Sequence, residues 1–173
     1  HKTTTSNFGL SHDNYIGSLP QSNRQHTTWF DFFLKERIKP QVDMAVKNGS
    51  MEIPQAERIE IFCKSLAAFF PITKPSLLHG DLWGGNVMAN ENGKPVLIDP
   101  SVAFSHPEMD IAMTQLFGGF DDKFYDAYNE SSPMETGWQE RLDIYNLYPL
   151  LVHVNLFGGG YLNQVMQIIN RYK

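Results

Sequence analysis

The sequence has little cysteine, no long apolar run and no excess of basic residues, and each shortage excludes a class of protein. Its 173 residues include one cysteine, Cys63, so a secreted fold built on internal disulfides is excluded. We therefore expect a soluble, cytoplasmic protein with Cys63 as a buried core thiol. The longest apolar stretch, residues 66–72, is far too short to span a membrane. The net charge of −5 argues against nucleic acid or an anionic membrane as partner.

Length and composition predict one domain with a sizeable core, since 42% of the residues are hydrophobic and 13% aromatic. Several segments have apolar residues at helical spacing, which predicts helices at 29–47, 54–70, 107–117, 121–130, 138–147, 149–157 and 160–172. Only three segments resemble strands: 77–79, 86–89 and 95–98. The last two flank a turn sequence, Asn-Glu-Asn-Gly-Lys. We predict a mainly α fold with a small β-hairpin insertion (α+β), preceded by an irregular segment at 1–26.

The chemically unusual residues lie around that hairpin. Asp81 sits in a loop bounded by glycines, within Leu-Leu-His-Gly-Asp-Leu-Trp-Gly-Gly-Asn. Asn86 and Asp99 stand at the outer ends of the two hairpin strands, so we expect them to be neighbours. Carboxylate and amide oxygens suit Mg²⁺. This is the arrangement of a phosphoryl transferase, in which one carboxylate accepts a hydroxyl proton and an Asn and a second Asp hold the metal on ATP.

The spacing of these residues supports the same interpretation. His79, Asp81 and Asn86 follow the H-x-D-x-x-x-x-N spacing of the protein-kinase catalytic loop. Asp99 stands where the Asp of D-F-G would stand, but Pro100 and Ser101 follow it, which argues against a eukaryotic-type protein kinase. Asp81 and Asn86 could instead merely satisfy turn backbones. That alternative does not explain Asp99 at the far end of the same hairpin.

A family resemblance rests on the same residues. HGDLWGGN (79–86), followed by VLIDPSVAFSHPEMDIAMTQLFGGF (96–120), closely resembles the fructosamine (ketosamine) kinases of the aminoglycoside-phosphotransferase and protein-kinase-like superfamily. DNYIGSLPQSN (13–23) and WFDFFLKERIKPQ (29–41) also resemble that family. The resemblance implies transfer of the ATP γ-phosphate to a sugar hydroxyl of a fructosamine, a small-molecule glycated amine. It also implies Asp81 as the catalytic base, with Asn86 and Asp99 as Mg²⁺ ligands.

Five further residues are candidates for supporting roles. We expect Asp110 to accept hydrogen bonds from backbone N–H groups of the 79–83 loop, with a third metal ligand as the alternative. His79 is expected to pack and hydrogen-bond inside the loop instead of acting as a second base. Trp83 either stacks on a sugar ring or anchors the loop in the core. Asp13 and Asn14 are candidates for the substrate side of the cleft or are turn residues.

Parts that a kinase needs are missing from the sequence. No lysine lies on a predicted strand before residue 77, and no phosphate-covering glycine-rich loop is visible. We therefore expect residues 1–173 to be the C-terminal lobe of a kinase-like fold, without its N-terminal lobe and with weak activity alone. The alternatives are a kinase for an aminoglycoside, choline or homoserine, or a non-catalytic kinase-like binding domain. A metallohydrolase is disfavoured because the paired-histidine spacing of helical zinc motifs is absent.

Overall fold

The computed structural model describes residues 1–158 and 160–172, which contain eight α-helices and six strands of three residues each. The α-helices in this part are α1 (Trp29–Phe32), α2 (Lys39–Lys47), α3 (Ile53–Ser65), α4 (Glu108–Leu116), α5 (Asp122–Ser131), α6 (Trp138–Tyr145), α7 (Leu147–Phe157) and α8 (Gly160–Arg171). A π-helical turn, Phe33–Ile38, joins α1 to α2, and single 3₁₀ turns lie at Leu66–Ala68 and Gly84–Asn86. None of the helices in the described residues is long and apolar enough to cross a membrane.

The strands form three separate antiparallel pairs. They are β1 (Asn14–Ile16) with β2 (Leu19–Gln21), β3 (Ser76–Leu78) with β6 (Ala103–Ser105), and β4 (Val87–Ala89) with β5 (Pro95–Leu97). The predicted hairpin is confirmed as β4–β5. The expectation of an irregular segment at 1–26 is wrong, because β1–β2 lies inside it. The sequence analysis also missed β6, whose partner lies 27 residues earlier in the register Ser76↔Ser105 to Leu78↔Ala103.

Local signals explain where the helices begin and end. The Thr28 hydroxyl accepts the N–H of Asp31 and caps α1. Glu52 and Gln55 cap each other at the start of α3, and Pro54 lies in its first turn, where no N–H partner is needed. Pro40 lies in the first turn of α2, directly after the π-helical turn, so the helical path continues past it.

The core is formed by α7 between α2 and α8, with an aromatic cluster beside it. Leu147, Leu151 and Val154 of α7 are fully buried. Trp29 contacts both Phe33 and Tyr145 through their rings, which are 5.2 Å and 6.0 Å away by centroid. Cys63 is buried as predicted, and desolvation raises the pKa of its thiol to about 12.

Candidate active site

The β4–β5 hairpin and the loop before it bring the predicted residues together. The register Val87↔Leu97 continues outward, and the N–H of Ile98 donates to the carbonyl of Asn86 at 3.1 Å. Asp99 therefore directly follows the residue that pairs with Asn86. Asp99 is exposed and has a φ of +49°, a left-handed conformation that Asp tolerates better than most residues.

Asn86 holds the carboxylate of Asp81. Its Nδ2 donates to Oδ2 of Asp81 at 2.9 Å and to the Asp81 carbonyl at 2.8 Å. Asn86 is 6% exposed, and among the described residues nothing donates to its Oδ1. Burial raises the pKa of Asp81 above the ordinary value of an aspartate, and the hydrogen bond from Asn86 opposes this in part. Asp81 is thus a fixed carboxylate that takes up a proton more readily than an exposed one.

His79 is used inside the loop. Its Nε2 lies 2.9 Å from the carbonyl of Ile98, and its Nδ1 lies 3.3 Å from the N–H of Asp81. A carbonyl can only accept and an N–H can only donate, so the proton is on Nε2 and Nδ1 is the acceptor. Both ring nitrogens have backbone partners, which leaves neither for a substrate proton.

Asp110, in the first turn of α4, holds the backbone of the same loop. Its Oδ2 accepts the N–H of His79 at 2.8 Å, and its Oδ1 accepts the N–H of Gly80 at 2.9 Å. Asp110 is 2% exposed, and burial raises its pKa while these donors oppose the rise. His1, whose Nε2 lies 3.0 Å from Oδ2 of Asp110, completes the arrangement. Sequence reasoning missed His1, because a contact across 109 positions leaves no local pattern.

Gly80 brings the loop against the segment that follows Asp99. Its φ is +83°, and a Cβ on it would lie 2.0 Å from the carbonyl oxygen of Ser101. The N–H of Ser101 donates to the carbonyl of His79 at 2.8 Å across the same contact. A side chain at position 80 would separate the two segments that carry Asp81 and Asp99.

A cavity of about 380 Å³ opens beside Asp81. Its wall is mostly apolar and aromatic and is formed by Ile16, Gly17, Asp81, Trp83, Met113, Phe117, Val152, His153, Leu156, Phe157 and Tyr161. The Trp83 ring meets Phe117 edge-on, with centroids 6.0 Å apart, and Gly85 leaves room for it, since a Cβ there would lie 2.4 Å from the indole. A cavity with one carboxylate in an apolar wall suits a small ligand that presents a hydroxyl to that carboxylate.

The far wall of the cavity was missed by sequence reasoning. His153 lies on α7 with its Nδ1 2.8 Å from the carbonyl of Pro149, and its ring lies 4.9 Å from that of Tyr161. The glycine-rich segment at 155–163 contains the boundary between α7 and α8, in agreement with the predicted helices at 149–157 and 160–172. Phe157 and Tyr161, on either side of that boundary, are the aromatic residues of this wall. The signal in the sequence was aromatic residues flanking the glycines.

Asp13 and Asn14 contact the protein itself. Asp13 Oδ1 accepts the N–H of Asn23 at 2.7 Å, and the Asn14 amide bonds to Gln21, Asn23 and Val102. Ile16 and Gly17, farther along the same hairpin, line the cavity. A role for Asp13 or Asn14 toward the substrate stays a prediction.

The oxygen atoms near the hairpin fit a magnesium ion that also binds phosphate oxygens. No group of three or more His, Cys, Asp or Glu side chains in residues 1–158 and 160–172 could hold a metal ion. Mg²⁺ needs only one or two carboxylates when phosphates and water supply the rest of its shell. Asn86 Oδ1 and the exposed carboxylate of Asp99 are oxygen donors without protein hydrogen bonds in the described residues, and they match that requirement.

Comparison with known proteins finds relatives that are named as kinases. The family model described as fructosamine kinase matches residues 1–173. The chain is 42% identical over 174 aligned residues to a protein of Enterococcus faecium named "Probable ketoamine kinase", covering 99% of this chain and 63% of that protein. It is 37% identical to the "Ketosamine-3-kinase" of Mus musculus, covering 94% of this chain and 52% of the mouse protein.

A solved structure has the same fold. The crystal structure of a protein named "putative fructosamine-3-kinase" from Thermobifida fusca superposes with a TM-score of 0.90 at 36% identity, covering 96% of this chain and 58% of that one. The chain thus spans roughly three fifths of the length of the Enterococcus and Thermobifida proteins.

Proposed function

This chain belongs to the fructosamine kinase family, and we propose that the protein it represents transfers the γ-phosphate of ATP to a sugar hydroxyl of a fructosamine. One observation carries the proposal: the Asp81 carboxylate, fixed by Asn86 at 2.9 Å, is part of the wall of an otherwise mostly apolar cavity. The names of the relatives, which are ketoamine and ketosamine kinases, support the choice of acceptor.

In this proposal Asp81 binds and orients the acceptor hydroxyl and takes its proton as the oxygen attacks phosphorus. The pKa of Asp81 is raised by burial, which makes it a better proton acceptor than an ordinary aspartate once it is ionised. Asn86 keeps the carboxylate in one orientation, and the apolar wall excludes water that would compete as an acceptor. Trp83 and the aromatic wall opposite it would hold the sugar and the group that its amine carries.

Asn86 Oδ1 and Asp99 are the residues that we propose hold Mg²⁺. When bound, the ion would neutralise charge on the phosphates of ATP. This chain contributes the two oxygens, on residues that the hairpin brings near each other, since Ile98, directly before Asp99, pairs with Asn86. His79 and Asp110 support these residues by hydrogen bonding to the backbone of the loop that carries Asp81.

We further propose that the chain corresponds to the C-terminal lobe of a kinase-like fold and that the cytoplasm is its location. No lysine in the described residues lies on a strand, so the residue that grips the α- and β-phosphates would come from a part of the protein beyond this chain. Two alternatives predicted from the sequence are a kinase for another small hydroxylated acceptor and a non-catalytic domain. The experiment below distinguishes them from a fructosamine kinase.

The decisive experiment measures ADP release by the complete protein with Mg-ATP and a fructosyl-amine, beside Asp81→Asn. The variant should lose about 10²- to 10⁴-fold in kcat, because the acceptor hydroxyl has no base, while its melting temperature is kept. The low-pH limb of kcat/KM should lie above the ordinary aspartate range, since the pKa of Asp81 is raised and only its ionised form is active.

Asp126→Asn, at an exposed position on α5, is the matched control and should keep wild-type turnover. If ADP is released only with an aminoglycoside or choline, that compound would replace the fructosamine as the proposed acceptor. Magnesium-dependent nucleotide binding with no turnover on any acceptor would favour the non-catalytic domain. Undiminished turnover in Asp81→Asn would exclude Asp81 as the base.

A further inference from the structure

Three hydrogen bonds tie the β1–β2 hairpin to the segment directly after Asp99. The Nδ2 of Asn14 donates to the carbonyl of Val102 at 2.9 Å. The Ser101 hydroxyl donates to the carbonyl of Tyr15 at 2.7 Å. A longer contact of 3.4 Å joins Nε2 of Gln21 to the carbonyl of Ser101. These contacts cross 80 to 88 positions of sequence, and they add to the backbone bridge between Gly9 and Phe104 that joins the same two parts of the chain.

The Asn14 amide has only one possible orientation in this network. Its Oδ1 accepts from Gln21 Nε2 and from Asn23 Nδ2, each at 2.8 Å. Because an amide oxygen only accepts, the NH₂ group must face Val102. Asn14 is therefore a donor whose direction is fixed by the hairpin itself.

A buried arginine anchors the other end of the network. Nη2 of Arg37 donates to Oδ1 of Asn23 at 2.7 Å, and the guanidinium lies 4.4 Å from the Phe32 ring centroid. Arg37 is 2% exposed, and no carboxylate in the described residues forms an ion pair with it. Its guanidinium donates to the carbonyls of Ser22 and Glu36 and to the amide oxygen of Asn23. Moving Asn23 or Asn14 would therefore leave buried donors unpaired.

The backbone on the other side of Asp99 is held as well. The carbonyl of Ile98 accepts from Nε2 of His79 at 2.9 Å, and its N–H pairs with Asn86. Asp99 is thus a left-handed, exposed residue between two fixed segments, 98 and 101–102. The first segment is held by the catalytic loop and the second by the β1–β2 hairpin.

We propose that Asn14, oriented by Gln21 and Asn23, is a positioning residue that fixes the backbone after Asp99 and thereby directs the Asp99 carboxylate toward the divalent cation. The inference rests on the proposed function, because it assumes that Asp99 is a metal ligand. The proposal gives segment 13–23 a role that does not require Asn14 to touch the substrate. The hairpin lines the acceptor cavity with Ile16 and Gly17, and it supports the metal side with Asn14.

Asn14→Asp tests the proposal with a change of one atom type. At pH 8 the new carboxylate still accepts from Gln21 and Asn23 but cannot donate to Val102. In the complete protein, Mn²⁺ binding in the presence of ADP, followed by electron paramagnetic resonance, should weaken by about 10- to 100-fold, the usual cost of losing a residue that supports a metal ligand. Amide exchange should accelerate in residues 98–103 and stay unchanged in α7.

Asn7→Asp is the matched control, because within residues 1–158 and 160–172 the Asn7 amide bonds only to Gln25, and the charge change is the same. It should keep Mn²⁺ affinity within about twofold of wild type. If Asn14→Asp does not fold, Ser101→Ala removes only the bond to Tyr15 and should shift both readouts in the same direction.

The outcomes separate this inference from the proposed function. The positioning role alone is overturned if the wild-type protein releases ADP with a ketoamine and Asn14→Asp matches Asn7→Asp in Mn²⁺ affinity and in amide exchange. A wild-type protein that releases no ADP with any ketoamine, but whose Mn²⁺ affinity falls in Asn14→Asp, overturns the substrate and supports the positioning role. Faster exchange throughout the molecule would mean a general loss of stability and would also overturn the positioning role.

Discussion

At the scale of single residues, Gly80 is the position of the site where we expect a substitution to be tolerated least. Its φ of +83° is strained for any side chain, and the Cβ of an alanine would meet the Ser101 carbonyl at 2.0 Å. Gly80→Ala should therefore lower the free energy of unfolding by at least about 2 kcal/mol, measured by urea denaturation.

Gly84→Ala is the control for this prediction. Gly84 lies in the same loop, has no positive φ, and a Cβ there meets nothing within 4 Å. It should change the free energy of unfolding by no more than about 0.5 kcal/mol. Equal losses in the two variants would show that the contact with Ser101 does not determine stability.

The residues of the candidate site divide by how far apart they lie in sequence. Asp81, Asn86 and Asp99 could be proposed from the sequence, because the hairpin brings Asn86 near Asp99 and Asp81 precedes Asn86 in the same loop. His1 and His153 could not, since the bridge between Thr4 and Ser76 carries His1 to Asp110, and α7 carries His153 to the cavity, from distant positions. Periodicity gives the buried face of a helix but not the residue that it meets.

At the scale of elements, the helices and the strands β3, β4 and β5 were predicted from the sequence, whereas β1, β2 and β6 were not. Repeated apolar spacing and caps such as Thr28 indicate helices over ten or more residues. Three-residue strands have no period to detect, and β3 finds its partner β6 only through the fold. The β1–β2 hairpin did have a signal: Gly17 opens a two-residue turn between Ile16 and Leu19, as glycine does in type II′ turns.

The ion pair between α4 and α6 gives a prediction at the same scale. Arg141 donates from Nε and Nη2 to the two carboxylate oxygens of Glu108 at 2.7 and 2.6 Å, and both residues are buried. Arg141→Met leaves an unpaired buried carboxylate and should lower the free energy of unfolding by about 3–5 kcal/mol.

The double variant Arg141→Met/Glu108→Gln tests whether the loss comes from the unpaired charge. It should be more stable in urea than Arg141→Met alone, because no uncompensated carboxylate remains inside. Losses that simply add across the two single variants would contradict this explanation and assign the effect to packing.

At the scale of the whole molecule, the chain brings two kinds of surface to one place. Asp81 lines the aromatic cavity, and the same carboxylate accepts from Asn86, which with Asp99 lies outside the lining of the cavity. The β1–β2 hairpin contacts both sides, through Ile16 at the cavity and through Asn14 at the segment after Asp99. The proposed acceptor cavity and the proposed metal side therefore share one structural support, which the sequence could not indicate because the hairpin and the segment are distant in the chain.

The proposed assignment of this chain to one lobe predicts the activity of residues 1–173 expressed alone. They contain the proposed base and metal oxygens, but no strand lysine in the described part to grip the α- and β-phosphates. ADP release by residues 1–173 expressed alone should therefore fall at least about 10²-fold below that of the complete protein, because ATP is neither bound nor aligned well. Circular dichroism and a cooperative melt should show that the isolated chain is folded, since its core is internal to these residues. ADP release by the isolated chain at the rate of the complete protein would mean that these residues hold ATP without further help, and the lobe proposal would be wrong.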